Sequence, residues 1–133
     1  MMAKITYLGD LRTEAEHLRS GNKIITDAPV DNRGRGEAFS PTDLTAASLA
    51  SCILTIMGIA AMDKGLDMQG AEASVTKIMT NSPRCIESIE IEIRMPDKGY
   101  SDKEKKLLEK AAHHCPVSLS LSKDTRELIK IIW

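Results

Sequence analysis

The sequence has few aromatic residues: one phenylalanine, two tyrosines and one tryptophan among 133 residues. These are too few for the stacked aromatic surface on which proteins bind single-stranded nucleic acid. The chain also lacks an excess of either charge, because 18 lysines and arginines oppose 19 aspartates and glutamates, which gives a net charge of −1. We therefore expect no polyanionic partner and no nucleic-acid binding.

Signals for export are also missing. The first ten residues, MMAKITYLGD, contain no apolar signal-peptide core. Three cysteines are too few for the disulfide framework of a small secreted protein. We expect a cytoplasmic location, where a pair of well-placed cysteines is more often redox-active than structural. With no internal repeat and no linker, residues 1–133 are predicted to form a single domain.

Cofactor and metal motifs are absent as well. Neither G-x-G-x-x-G nor the P-loop pattern occurs, and the glycines of the RGRG segment at 33–36 do not lie between a strand and a helix. His113, His114 and Cys115 are consecutive, and neighbouring positions on a helix point about 100° apart. A zinc site needs three or four convergent ligands. We therefore predict neither a metal nor another cofactor.

Alternating apolar and polar residues predict the strands. Three of them precede residue 28, in AKITYL, DLRTEAEHL and GNKIITD. AEASVTKIMT and IESIEIEIRM, separated by an NSPR turn, predict a hairpin with one dry face, and TRELIKIIW predicts the last strand. The strands thus favour a sheet with one apolar and one solvated face.

Two helices are predicted between these strands. Ser40 and Pro41 are typical of a helix start, and the following segment from Leu44 to Met62 carries no formal charge. Its length approaches that of a membrane span, but its serines and threonines favour a buried central helix instead. A capping box at 101–104 starts a second helix, which Pro116 ends. The order β-β-β-α-β-β-α-β predicts an α+β domain.

Cys52 and Cys115 fall on the two predicted buried helices. If the fold brings them together, they form a shielded dithiol suited to redox chemistry on an apolar substrate. Burial alone makes a thiol unreactive, so a reactive Cys52 requires a nearby cation. Cys115 is predicted at the carboxyl end of its helix, where the dipole disfavours a thiolate and favours a late, resolving role. The upstream candidates for the cation are Arg12, Arg19, Arg33 and Arg35.

Structural roles for the cysteines stay open at this point. Free cysteine is among the most buried residue types, so Cys52 and Cys115 are also compatible with a purely space-filling role. Cys85 follows Pro83 and Arg84 at the hairpin turn. We expect Cys85 to be partly exposed and to take no part in chemistry.

The segments SPTDLTAASLASC, KGLDMQGAEASVTK and AAHHCPVSLSL together resemble the family of osmotically inducible protein C and organic hydroperoxide resistance proteins (OsmC/Ohr). The resemblance runs from about residue 36 to the end of the chain and extends more loosely over the first strands. It implies an OsmC-like fold, in which antiparallel sheets pack on a buried central helix. It also implies an intertwined homodimer with two sites at its interface.

The resemblance further implies thiol-dependent reduction of organic hydroperoxides. Cys52 matches the peroxidatic position, where a sulfenic acid forms, and Cys115 matches the resolving position, which converts it into an intramolecular disulfide. An external dithiol reductant then restores both thiols. We expect Leu49, Ile53 and Met57 to line an apolar substrate pocket.

The chain departs from the family pattern near the start of the central helix. Hydroperoxide-reducing members carry a glutamate that orients the activating arginine, and Thr42 stands at that position. Asp43 is the candidate substitute, Arg12 is the best match for the arginine, and Thr42 would border the pocket. This departure supports an alternative: a non-catalytic or weakly active OsmC-like dimer that binds a small apolar, acyl or thiol ligand at its interface.

Overall fold

Two three-stranded sheets account for the six strands of the chain. The computed structural model describes residues 1–133, which divide into unit 1, Met1–Thr45, and unit 2, Ala46–Trp133. Each sheet lies in a different unit, and each unit is described by itself. The predicted α+β class and the predicted order of strands and long helices are confirmed. That the chain behaves as a single domain stays a prediction.

Unit 1 consists of an antiparallel meander followed by a loop. Its strands are β1 (Ala3–Gly9), β2 (Arg12–His17) and β3 (Lys23–Asp27). The turn before β3 contains Gly21 at a positive φ of 74°, a conformation that glycine adopts without a steric penalty. A short 3-10 helix, Val30–Asn32, lies in the loop after β3.

One face of this first sheet is apolar and open. The strand register aligns Ile5 with Ala15 and Ala15 with Ile24, and Tyr7 lies on the same face two residues beyond Ile5. Ile5, Tyr7 and Ile24 are 61%, 65% and 50% exposed. Singly exposed apolar residues are ordinary, whereas adjacent ones on one sheet face form a patch that favours association.

The long helix α1 (Pro41–Met62) begins with a reciprocal cap. The hydroxyl of Ser40 accepts a hydrogen bond from the Asp43 N–H at 3.0 Å, and the Asp43 carboxylate accepts one from the Ser40 N–H at 2.9 Å. The predicted helix start is therefore confirmed, with aspartate in the place that glutamate takes in the usual capping box. From Ala46 onward α1 belongs to unit 2.

By length and composition α1 passes the test for a membrane span, with a mean hydropathy of 1.9 over its most apolar stretch. A third of that stretch, 33%, is buried within the chain. A single helix of this kind is weak evidence, because core helices of soluble proteins also pass. The expectation that the protein does not enter a membrane stays a prediction.

Unit 2 contains the second sheet and two more helices. The elements are β4 (Glu72–Met79), β5 (Ile86–Arg94), α2 (Asp102–Ala112), α3 (Pro116–Ser120) and β6 (Arg126–Ile132). The predicted β4–β5 hairpin is confirmed as an antiparallel pair. β6 instead pairs parallel to β5, because the chain crosses back through α2 and α3 before it enters β6.

The core of unit 2 lies between β5 and the helices. The alternating residues Ile89, Ile91 and Ile93 are all at most 1% exposed, as the period-two pattern predicts. They form one hydrophobic cluster with the buried side of α1 and with Leu108 and Ala112 of α2. Cys115 belongs to the same cluster, and Cys52 packs against it.

This packing predicts a clear difference between two leucines that flank Cys115 in the sequence. Leu108 is fully buried, whereas Leu119 of α3 is 83% exposed. We expect Leu108→Ala to lower the free energy of unfolding by about 2–5 kcal/mol, because it leaves a cavity. Leu119→Ala should change it by less than about 0.5 kcal/mol. Urea denaturation of both variants measures these values, and equal losses would contradict the assigned core.

Candidate functional site

The structure brings Cys52 and Cys115 together in unit 2. Cys52 lies on α1 and is partly exposed, whereas Cys115 is fully buried. Neither is in a disulfide. Cys52 packs against the hydrophobic cluster that contains Cys115 and lies near enough to affect the pKa of its thiol. The pair is thus a reduced dithiol with one member that solvent reaches and one that it does not.

The local structure around Cys115 corrects one expectation. α2 ends at Ala112 with His113 as its C-cap, and Cys115 has extended backbone angles of φ −78° and ψ 125°. It is the N-cap of the short helix α3, with Pro116 in the first position. The prediction that Cys115 ends a helix was therefore wrong: proline fits the first turn of a new helix, so the chain restarts there.

Burial controls the protonation of Cys115. Removal from water and, secondly, the hydrogen bond with Cys52 raise the pKa of the Cys115 thiol above its usual range. The backbone N–H groups of Ser118 and Val117 act in the opposite direction without reversing the shift. At neutral pH Cys115 is accordingly a thiol, which can donate a hydrogen bond to Cys52 but is a poor first nucleophile.

Apart from the cysteine pair, a group of charged residues lies around Arg12 in unit 1. Arg12 and Asp27 face each other directly across β2 and β3. The guanidinium donates from Nε to Oδ1 at 2.7 Å and from Nη2 to Oδ2 at 2.8 Å, a bidentate pair, and Nη2 also donates to Glu37 Oε2 at 3.0 Å. The Arg12 hydrogen bond is the main cause of the lowered pKa of Asp27, and the Asp27 hydrogen bond is the main cause of the raised pKa of Arg12.

The loop after β3 closes around this ion pair. The Glu37 N–H donates to Asp27 Oδ2 at 3.2 Å, and the Asp27 N–H donates to the Phe39 carbonyl at 3.1 Å. A Cβ on Gly34 would lie 1.6 Å from the Ala28 carbonyl oxygen. Only glycine fits at that point, which explains the first glycine of the RGRG segment without any nucleotide site.

Sequence reasoning missed Asp27 and Glu37. Asp27 ends a predicted strand, and the register of the hairpin that joins β2 to β3 could have placed it opposite Arg12. Glu37 carried no signal, because it lies in an irregular loop whose path depends on the backbone contact at Gly34.

The other predicted site residues have well-defined positions. Asp43 caps α1 through Ser40, and the Thr42 hydroxyl lies 3.2 Å from the Ser40 hydroxyl. Leu49, Ile53 and Met57 are fully buried in the core of unit 2. The pocket role of these three apolar residues and of Thr42 stays a prediction, as does the pairing of Asp43 with the activating arginine. Arg12 lies in unit 1 and the cysteines in unit 2, so an action of Arg12 on Cys52 also stays a prediction.

His114 and Cys85 have local partners. His114 Nδ1 lies 2.7 Å from the Lys110 carbonyl at the end of α2, as expected for a histidine near the last carbonyls of a helix. Cys85 is exposed, and its sulfur lies 3.0 Å from the Thr80 hydroxyl. No group of three or more His, Cys, Asp or Glu side chains in the chain could hold a metal ion.

The environments of the cysteines predict their order of modification. In the native protein iodoacetamide should alkylate Cys115 at least about tenfold more slowly than Cys85, because Cys115 is buried and its raised pKa keeps it protonated. Mass spectrometry of tryptic peptides over time measures each rate. In urea the rates should converge, which serves as the control. Equal rates in the native protein would show that Cys115 is not enclosed.

The match to known proteins covers most of the chain. Residues 34–127 match the family model described as OsmC-like protein. A Psychrobacter arcticus protein, provisionally named an osmotic stress induced and detoxification response protein, is 50% identical, with 99% of this chain and 96% of that chain covered and a TM-score of 0.94. No curated protein sequence matches the chain.

Two more distant structures share the fold. One is the organic hydroperoxide resistance protein OsmC of Legionella pneumophila, with 19% identity, a TM-score of 0.74 and coverage of 98% of this chain and 95% of that chain. The other is the organic hydroperoxide resistance protein OhrB of Bacillus subtilis, with 16% identity, a TM-score of 0.67 and coverage of 99% and 98%. At these identities the likeness shows a common architecture.

Proposed function

Because the chain belongs to the OsmC-like protein family, we propose that it is a cysteine-based peroxidase that reduces organic hydroperoxides. The observation that carries this proposal is the neighbouring pair of Cys52 and Cys115 in one hydrophobic cluster, with one thiol partly exposed and the other fully buried. Two neighbouring reduced thiols are the arrangement from which an intramolecular disulfide forms. Relatives named as organic hydroperoxide resistance proteins support the substrate class.

The first step oxidises Cys52. Its thiolate attacks the peroxide oxygen distal to carbon, the O–O bond breaks, and the departing alkoxide takes a proton and leaves as an alcohol. Cys52 becomes a sulfenic acid and the hydroperoxide is reduced by two electrons. In this step Cys115 stays protonated, as its raised pKa requires, and can donate a hydrogen bond to the reacting sulfur.

The second step forms the disulfide. The sulfur of Cys115 attacks the sulfenic sulfur of Cys52, and the released hydroxide takes up the Cys115 proton and leaves as water. An external dithiol then reduces the disulfide by thiol–disulfide exchange. The apolar surroundings of the pair, including Leu49, Ile53 and Met57, favour alkyl hydroperoxides over hydrogen peroxide. Arg12 is proposed to stabilise the Cys52 thiolate.

The test is a peptide map after one equivalent of cumene hydroperoxide without reductant. We expect a Cys52–Cys115 disulfide in the wild type, because the two thiols are neighbours in one hydrophobic cluster. Cys52→Ser should abolish peroxide consumption. Cys115→Ser should stop after one oxidation, with a dimedone-reactive sulfenic acid on Cys52, because no second thiol is in contact.

Cys85→Ser is the matched control and should react like the wild type. Cys85 is exposed and hydrogen-bonded to the Thr80 hydroxyl, and it does not belong to the cysteine pair. Sustained turnover by Cys52→Ser would rule out the proposed peroxidase. If both thiols of the wild type stay free after exposure to the peroxide, the non-catalytic, ligand-binding alternative becomes the better account of the family fold.

We also propose that the chain forms a homodimer. The exposed apolar face of the first sheet supports this, as do Ile59 and Met62 on α1, which are 52% and 79% exposed. We expect Ile5→Glu to weaken the dimer, because it places a charge in the apolar patch. Thr6→Glu adds the same charge on the opposite face of the sheet and should leave the dimer intact. Sedimentation velocity over a concentration series measures both, and a monomeric wild type would contradict the proposal.

A further inference from the structure

The carboxylates that hold Arg12 come from β3 and the loop after it, whereas α1 carries Thr42 at the position of the family glutamate. We propose that Asp27 is the positioning residue for Arg12, with Glu37 completing the clamp, so that this chain orients its arginine without a glutamate on α1. The proposal rests on the role of Arg12 in the proposed peroxidase.

The geometry of the clamp fixes the guanidinium from one side. Asp27 accepts from Nε and from Nη2, and Glu37 accepts from Nη2 as well. Two parallel bonds to one carboxylate set both the position and the plane of the group. These bonds use Nε and Nη2 and do not involve Nη1, so the clamp leaves one edge of Arg12 available to an anion.

Asp27 is itself rigidly placed. Its side chain is fully buried, and its position directly opposite Arg12 is set by the strand register. The Glu37 N–H holds the same carboxylate, and a salt bridge from Arg35 to Asp10 at 2.8 Å joins the loop to the turn after β1. A buried carboxylate that the strand register and the Glu37 N–H already hold cannot follow a mobile arginine, so the arginine takes its place from the carboxylate.

By their charge alone, these two carboxylates would be expected to slow the reaction of Cys52. Asp27 and Glu37 together outweigh the single positive charge of Arg12, so their fields oppose the formation of a nearby thiolate. If they promote the reaction of Cys52, they do so through the position of Arg12. Replacing a carboxylate by its neutral amide therefore separates the two effects. Removal of its negative charge would speed the reaction of Cys52, whereas a displaced Arg12 would slow it.

The experiment measures the rate of Cys52 alkylation by iodoacetamide at about pH 7, peptide by peptide, since only the thiolate reacts. Arg12→Met establishes the effect of the arginine and should slow the alkylation of Cys52. Asp27→Asn should slow it about three- to tenfold, and Glu37→Gln less. Asp27→Glu, which restores the carboxylate, should recover part of the rate. A loosened structure would expose Cys52 and speed its reaction, so slower alkylation is not the result of partial unfolding.

The outcomes distinguish the clamp from the peroxidase itself. If Arg12→Met slows Cys52 but Asp27→Asn and Glu37→Gln leave it unchanged or faster, the clamp is wrong and the role of Arg12 stands. If Arg12→Met has no effect on the alkylation rate, both the clamp and the proposed role of Arg12 are wrong. Failure of the wild type to consume cumene hydroperoxide would overturn the peroxidase alone. Circular dichroism verifies folding, and Glu37→Gln, at a side chain that is 65% exposed, decides the question if Asp27→Asn does not fold.

Discussion

A thiol in an apolar core must stay neutral, and the chemistry of the cysteine pair depends on this constraint. Cys115 is enclosed by the cluster that α1, α2 and β5 form in unit 2. Its proton is therefore retained at neutral pH, whereas Cys52, the other member of the pair, is partly exposed. The difference between the two thiols thus follows from burial, because α3, which Cys115 precedes as the N-cap, is too short to provide a strong dipole.

Unit 1 also buries an ionisable group, but there the group stays charged. Asp27 is as fully buried as Cys115 but stays ionised, because Arg12 bonds both of its oxygens. Removal of one partner from a buried pair leaves an uncompensated charge and is strongly unfavourable. Asp27 and Arg12 consequently depend on each other, and a chain that keeps this pair has little freedom to place the arginine elsewhere.

The sequence predicts the features that local physics controls. The alternation from Ile86 to Arg94 gives a half-buried strand, and the Ser40 and Ser101 caps give two helix starts, because each is fixed by neighbours along the chain. The parallel pairing of β6 and the placement of Cys115 were not predictable in this way. Both depend on how the segment between α2 and β6 returns to the sheet, which is a property of tertiary packing.

The site was predictable in part for the same reason. The cysteines stand out because few residue types carry such chemistry, whereas Asp27 is one of many acidic residues and becomes notable only through its burial and its partner. Thr42 and Asp43 attracted attention as departures from a pattern, yet Asp43 serves the cap of α1. A carboxylate can be replaced by another from a different element when both reach the same guanidinium, since the arginine responds to the position of the oxygens and not to the segment that carries them. A missing glutamate is thus weak evidence for a lost activity when a buried aspartate already holds the arginine.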